Sequence, residues 1–381
     1  MEKPDNGFEF IEFLKKHDEK IAQSCSRLLG FLADKARDKG IPFTGQFELT
    51  PLCNFDCKMC YVHLHPEQIQ DHPVLSVGMW KDIIHQAWEA GMCTANLTGG
   101  ECLAYPGFEE LYLYLHSLGC VVGVLTNGYL LDDRRIEFFR QHMPSKIQVT
   151  LYGWNDDVYE RVTGKRVFTT VYGNLQRAIE AGLPISLSVT PNTFLGEDVL
   201  ETVRVANRLC KSILISSGLF DPREETGRSG QRAEADNRMY LKIYQLMYEL
   251  YGMDAIEIDE DKLPPCGGPD HVCAECGLRC GGGRSGFVVD WKGTIMPCNR
   301  LNVIQANILK NGFLPAWKTI NQQAEKWPRV PECEKCPYRT VCANCAGNVY
   351  QLGEPGKQPV RICEQTKFFV KHGVRHIADC E

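Results

Sequence analysis

Cys53, Cys57 and Cys60 stand four and three residues apart in the segment Cys53-Asn-Phe-Asp-Cys57-Lys-Met-Cys60. Thiolates so spaced, on a loop, can converge on one metal centre. Three ligands suit a 4Fe–4S cluster with one iron left unbound by protein, and an open metal position marks catalysis rather than structure. The competing reading is a structural zinc site with His63 or His65 as fourth ligand. A second group follows in the C-terminal third: Cys280-x12-Gly293-x4-Cys298, then Cys333-x2-Cys336-x5-Cys342-x2-Cys345, then Cys363. Alone, the stretch 333–345 would also fit a zinc ribbon.

The chain has 381 residues and 19 cysteines. That is too dilute for a small disulfide scaffold, and the clustering favours metal ligation in a reducing compartment. The N-terminus has no basic start followed by an apolar run, and no stretch approaches a membrane span, so neither secretion nor a membrane is expected and the cytoplasm is the expected site. A net charge of −6 argues against a broad nucleic-acid footprint. With 44% apolar and 24% charged residues the chain can bury an ordinary globular core.

The elements that must position the cysteines read as strand alternating with helix. Strand-like runs fall at 45–51, 94–99, 120–127, 146–153, 184–191 and 212–220, and helical runs at 79–91, 108–119, 133–142, 170–182 and 198–210. Alternation implies an α/β fold of parallel strands with right-handed crossovers, and six of them a barrel or partial barrel. Its chemistry belongs at the C-terminal strand ends. There lie the cysteine loop after strand one, Gly99-Gly100-Glu101 after strand two and Thr126-Asn127-Gly128 after strand three. The expected division is a helical segment over 1–44, the barrel over 45–235, a bridging helix over 236–261 and a cysteine-rich iron–sulfur domain over 262–381. Residues 221–235 read as an exposed loop. The last domain is rich in Gly, Pro and Cys and is expected to depend on metal for its fold.

The C-x3-C-x2-C motif after a first strand resembles the signature of the radical S-adenosylmethionine (SAM) superfamily, and the fold this resemblance implies is a partial (β/α)6 TIM-like barrel. The resemblance implies that Cys53, Cys57 and Cys60 hold a 4Fe–4S cluster whose open iron chelates SAM. Reductive cleavage of SAM then gives a 5′-deoxyadenosyl radical that abstracts hydrogen from a substrate. Gly99-Gly100-Glu101 resembles the family's GGE motif for the SAM amino group. Two glycines let backbone approach a ligand, and a carboxylate pairs with an ammonium. The family usually has proline next, where this chain has Cys102. Met59, Tyr61, Thr126, Asn127, Thr150 and Arg161 complete the cofactor contacts that the resemblance implies.

The C-terminal cysteines resemble the SPASM extension of that superfamily, except that its last gap is three residues and here it is two. By resemblance, Cys280, Cys298 and Cys345 would serve a first auxiliary 4Fe–4S cluster, with Cys276, Cys273 or Cys266 upstream. Cys333, Cys336, Cys342 and Cys363 would serve a second. Asn299, beside Cys298, replaces an aspartate used as a base in sulfatase-maturing relatives, and an amide cannot act so. Cys102 is a candidate hydrogen-atom donor, against the plainer reading of a buried small hydrophobe. Tyr152 is a candidate pocket-shaping aromatic.

SPASM-type proteins mostly modify peptides, so the expected substrate is a ribosomally made peptide that is crosslinked, epimerised or oxidised. An electron donor such as flavodoxin or ferredoxin would be needed. About 44 helical residues precede the first strand, too few for a winged helix, so leader binding falls to a separate protein, the N-terminus or the barrel mouth. The alternatives are a radical SAM enzyme acting on a small molecule and a non-catalytic iron–sulfur electron carrier.

Overall fold

A computed structural model describes residues 28–70, 74–251 except 217 and 225, residue 278, and 280–372 except 329, 335, 340, 343, 344 and 353–355. Its centre is a nine-stranded sheet in the order β6-β5-β4-β3-β2-β1-β7-β8-β9. The first six strands are β1 (Thr44–Glu48), β2 (Thr94–Thr98), β3 (Val121–Thr126), β4 (Lys146–Thr150), β5 (Ile185–Val189) and β6 (Ile213–Ile215). All pair in parallel, so this part is the expected partial barrel. One row of the register runs Phe47, Leu97, Val124, Ile147, and all four are fully buried. Parallel strands covered by helices bury both faces, which is why these runs lack strict alternation.

Local signals set the crossover helices. Ser76 caps Val77–Glu89, Asp132 caps Asp133–Gln141 and Asn155 caps Asp156–Thr163, each accepting a backbone N–H from the first turn. The last of these helices, eight residues long, was not expected. Gly91, Gly119 and Gly182 stop their helices at φ +116°, +74° and +79°.

Two expectations need correction. Residues 221–235 are not an exposed loop. Gly230 and Ala233 are buried, the N–H of Arg223 donates to the Tyr61 carbonyl at 3.2 Å, and that of Ser229 to the Lys58 carbonyl at 3.0 Å. The segment thus lies against the cysteine loop, and its polarity serves buried partners instead of solvent.

The second correction concerns the boundary at 262. β7 (Gly286–Val289) pairs in parallel with β1, matching Thr44 to Gly286 and Phe47 to Val289. β8 (Thr294–Met296) and β9 (Ala306–Asn307) continue the sheet antiparallel. Asp290-Trp291-Lys292-Gly293 forms the hairpin turn between β7 and β8, with Gly293 at φ +78°. Phe287 meets Phe47, Phe313 and Trp317 edge-on at 5.9, 5.1 and 6.0 Å between ring centres. The Trp317 indole donates to the Gly40 carbonyl at 2.8 Å. Residues 286–325 therefore share the barrel's core and need no metal to bury apolar surface. Of the expected N-terminal helical segment, residues 28–39 are helical, and the rest lies outside the described residues.

Phe287→Ala should therefore weaken the barrel as well as the C-terminal region, by about 3–5 kcal/mol. Urea denaturation followed by tryptophan fluorescence should show one shared transition moving to lower urea. Unchanged barrel stability would mean that β7 is a separable edge.

Candidate functional site

β1 ends at Glu48 and the chain enters the cysteine loop. The loop after β2 docks on it backbone to backbone. The N–H of Gly100 donates to the Thr50 carbonyl at 2.7 Å, and that of Glu101 to the Leu52 carbonyl at 3.0 Å. Gly99 sits at φ +143°, and a Cβ there would stand 2.5 Å from the Thr50 oxygen. At Gly100 it would stand 2.4 Å from the Leu52 oxygen. The two glycines are thus required for close approach to the cysteine loop itself.

Glu101 is buried and fastens the next loop. One carboxylate oxygen accepts the Thr126 hydroxyl at 2.7 Å and the Leu103 N–H at 3.0 Å, and the other accepts the Asn127 N–H at 2.8 Å. Burial pushes its carboxyl up, and these donors pull it back. The second oxygen takes a single protein donor, which leaves it capacity for another. The Asn127 amide then reaches Asn54 at 2.7 Å and the Cys53 sulfur at 3.7 Å. Thr126 and Asn127 therefore brace the cysteine loop from behind.

The N–H of Phe55 donates to the Cys53 sulfur at 3.4 Å, and that of His63 to the Cys60 sulfur at 3.3 Å. Burial pushes all three thiols up, Cys53 to about 12; Glu101 and Cys60 add to this at Cys53, Cys60 and Cys53 at Cys57, and Glu48 at Cys60. Three thiols that burial and nearby negative charge keep protonated, two of them facing N–H donors, suit a centre whose cations replace the protons. Asn54 Nδ2, beside Cys53, is buried without a protein partner. Among the described residues no three His, Cys, Asp or Glu stand close enough to hold a single metal ion directly. A cluster of several irons does not require that closeness. The residues present fit a 4Fe–4S group.

Cys57, Cys60, Met59, Tyr61, Thr150 and Tyr152 line one cavity of about 190 Å³ at the C-terminal strand ends. Thr190 and Ser216, just past β5 and β6, line it too. Both were missed in the sequence, although their strand-end positions could have flagged them. Tyr61 accepts from the Asn299 amide at 2.8 Å and donates to Glu48 at 3.4 Å, and Arg223 pairs with Glu48 through two nitrogens. Nothing in the sequence pointed to this buried pair.

Two candidates leave the site. Arg161 donates to the Phe194 carbonyl at 2.7 Å and the Leu195 carbonyl at 3.3 Å and pairs with Asp198. It ties a helix to the loop after β5 and does not line the cavity. Cys102 is fully buried, with its thiol on the Leu125 carbonyl at 3.2 Å. It is a small core residue without access to the cavity, so the hydrogen-donor role is withdrawn.

The C-terminal cysteines form two groups. Burial and the proximity of Cys345 and Cys280 push Cys298 up to about 11. Cys333, Cys336, Cys342 and Cys363 line another cavity, of about 530 Å³. The Thr366 hydroxyl lies 3.4 Å from the Cys342 sulfur, and the Gln358 amide 3.6 Å from that of Cys363. By resemblance the two groups were expected to serve separate auxiliary clusters. Cys266, Cys273 and Cys276 lie outside the described residues.

Comparison with known proteins matches residues 47–209 to the Radical SAM superfamily. The chain is 24% identical over 327 residues to the AdoMet-dependent heme synthase of Methanosarcina barkeri, covering 80% of this chain and 91% of that protein. It is 28% identical over 320 residues to the antilisterial bacteriocin subtilosin biosynthesis protein AlbA of Bacillus subtilis, covering 80% and 67%. In fold it resembles Streptococcus suis SuiB bound to S-adenosylmethionine, with TM-score 0.62 at 16% identity over 95% of this chain and 84% of that one. SuiB has also been solved bound to its precursor peptide SuiA.

Two outcomes follow. Gly100→Ala should push the docked loops apart at a cost of about 1–3 kcal/mol, and the iron bound at Cys53, Cys57 and Cys60 should fall. Iron assay of the reconstituted variant checks this, and wild-type iron would refute it. The iron-free protein should lose stability as pH climbs from about 9 through about 12, because folding raises the Cys53 thiol from 9.0 to about 12. The folded state then holds the proton longer than the unfolded one. Urea midpoints that do not fall over that range would contradict it.

Proposed function

Because residues 47–209 are a radical SAM domain and the chain is an enzyme of that kind, we propose that it removes a hydrogen atom from a ribosomally made peptide, which it then crosslinks, epimerises or oxidises. The observation that carries this is the ring of Cys333, Cys336, Cys342 and Cys363 around one cavity, in a region joined to the barrel through the pairing of β7 with β1. An auxiliary iron–sulfur region of this type accompanies the radical domain in peptide-modifying proteins. The names of AlbA and of SuiB with its precursor peptide point the same way.

When bound, the cluster supplies an electron and SAM supplies the radical. The chain does the rest. Cys53, Cys57 and Cys60 hold the iron, and the loops braced by Glu101 and Asn127 keep the sulfurs in place. Met59, Tyr61, Thr150 and Tyr152 wall the space in which a nucleoside and a substrate side chain would meet. Met59 is buried and the other three are half-buried, so a bound nucleoside and substrate would complete the exclusion of water from a reactive intermediate. Cys280, Cys298 and Cys345 would hold a first auxiliary cluster, with Cys276 as the favoured fourth ligand, and the four-cysteine cavity a second.

The partners we infer are a flavodoxin or ferredoxin as electron donor and a separate leader-binding protein, and the place is the cytoplasm. No helix among the described residues is long and apolar enough to cross a membrane. A second reading, a small-molecule substrate, is favoured by the heme synthase, which aligns over 91% of its own length.

With dithionite and SAM, the reconstituted protein should release 5′-deoxyadenosine and carry about twelve irons with little zinc, three clusters of four. Co-expression with a short Cys- or Gly-rich reading frame from its gene neighbourhood should change that peptide's mass. An unchanged peptide beside turnover of a small molecule would favour the second reading, and no 5′-deoxyadenosine would remove both.

A further inference from the structure

The segment after β6 carries a cation that neither the cysteine motif nor the cavity accounts for. Arg228 is 10% exposed and has three partners on the cysteine loop. One nitrogen donates to the Cys57 carbonyl at 2.7 Å. The other donates to Asp56 at 2.6 Å and to His63 Nδ1 at 2.9 Å. Arginine only donates, so Nδ1 is the acceptor of that pair. Its Nε is buried without a protein partner. Ser229 ties the same turn to Lys58 by backbone.

The surrounding charges are unequal. Glu48 is fully buried and its charge is answered by Arg223. Asp56 is 55% exposed, so solvent screens it well and it offsets Arg228 only in part. Glu101 lies behind Cys53 and adds negative charge. Arg228 is close enough to Cys57 and Cys60 to pull both thiols back toward ionisation against their burial. Any electron added to a centre on these sulfurs enters a buried place where a fixed positive charge acts strongly. Reduction potentials of iron–sulfur centres follow local charge and hydrogen bonding to the ligand loop.

We propose that Arg228 is a positioning residue that holds Cys57 by its carbonyl and raises the reduction potential of the centre on Cys53, Cys57 and Cys60. This rests on those three cysteines holding the SAM-binding cluster, and it does not depend on what the substrate is. A plain strut would hold the loop equally well without its charge.

The test is a potentiometric titration followed by electron paramagnetic resonance, reading the signal that changes when SAM is added. Arg228→Gln should shift its midpoint to more negative potential. Arg228→Lys keeps the charge and should stay near wild type. Asp56→Asn should shift the midpoint the opposite way, because Arg228 then acts with less opposition. A wild-type midpoint in Arg228→Gln, or equal shifts in the Gln and Lys variants, would overturn the proposal. Should Arg228→Gln bind no iron, an unchanged midpoint in Asp56→Asn would overturn it instead. A wild-type protein with no SAM-sensitive signal would remove the cluster assignment beneath it.

Discussion

The structure depends on two loops lying closer than any side chain allows. The turn after β2 rests its peptide groups on those of the cysteine loop, and Gly99 and Gly100 are the residues that permit it. Backbone contact of this kind is stiffer than contact between side chains, because no rotamer can yield. From there Glu101 carries the rigidity to Thr126 and Asn127, and Asn127 returns it to Cys53. Three strand ends are thus locked in a closed circuit around the sulfurs.

Electrostatics supplies the second constraint. Three thiols, Cys57 buried and Cys53 and Cys60 half-buried, stand near two buried carboxylates, Glu48 and Glu101. Left alone, such a place would resist every further negative charge. The chain answers with arginines from far along the sequence. Arg223 meets Glu48 across 175 positions and Arg228 meets Asp56 across 172. The segment that brings them is polar because it meets charged groups, Glu48 buried and Asp56 half in solvent, and polarity alone cannot tell that case from solvation.

That distinction explains how much was legible in the sequence. The six barrel strands announced themselves as apolar runs between helical ones, and the cysteines by spacing. Gly99-Gly100-Glu101 was recognisable as a motif, but its glycines serve the neighbouring loop, which only three-dimensional proximity reveals. Arg161 and Cys102 lay at plausible positions along the chain. Their directions, toward Asp198 and toward the Leu125 carbonyl, are set by packing that no spacing rule encodes. The C-terminal region misled by composition. Its glycines and cysteines obscure a scattered set, Phe287, Phe313 and Trp317, that joins the barrel core.

The neighbour relation between β1 and β7 has a consequence for biogenesis. β1 is among the earliest strands to leave the ribosome, yet its partner at Gly286–Val289 emerges some two hundred and forty residues later. Until then one edge of the nascent sheet has open hydrogen-bonding groups, and contacts across so long a span form slowly. The edge beside β1 therefore stays uncovered until the chain beyond Gly286 has been made.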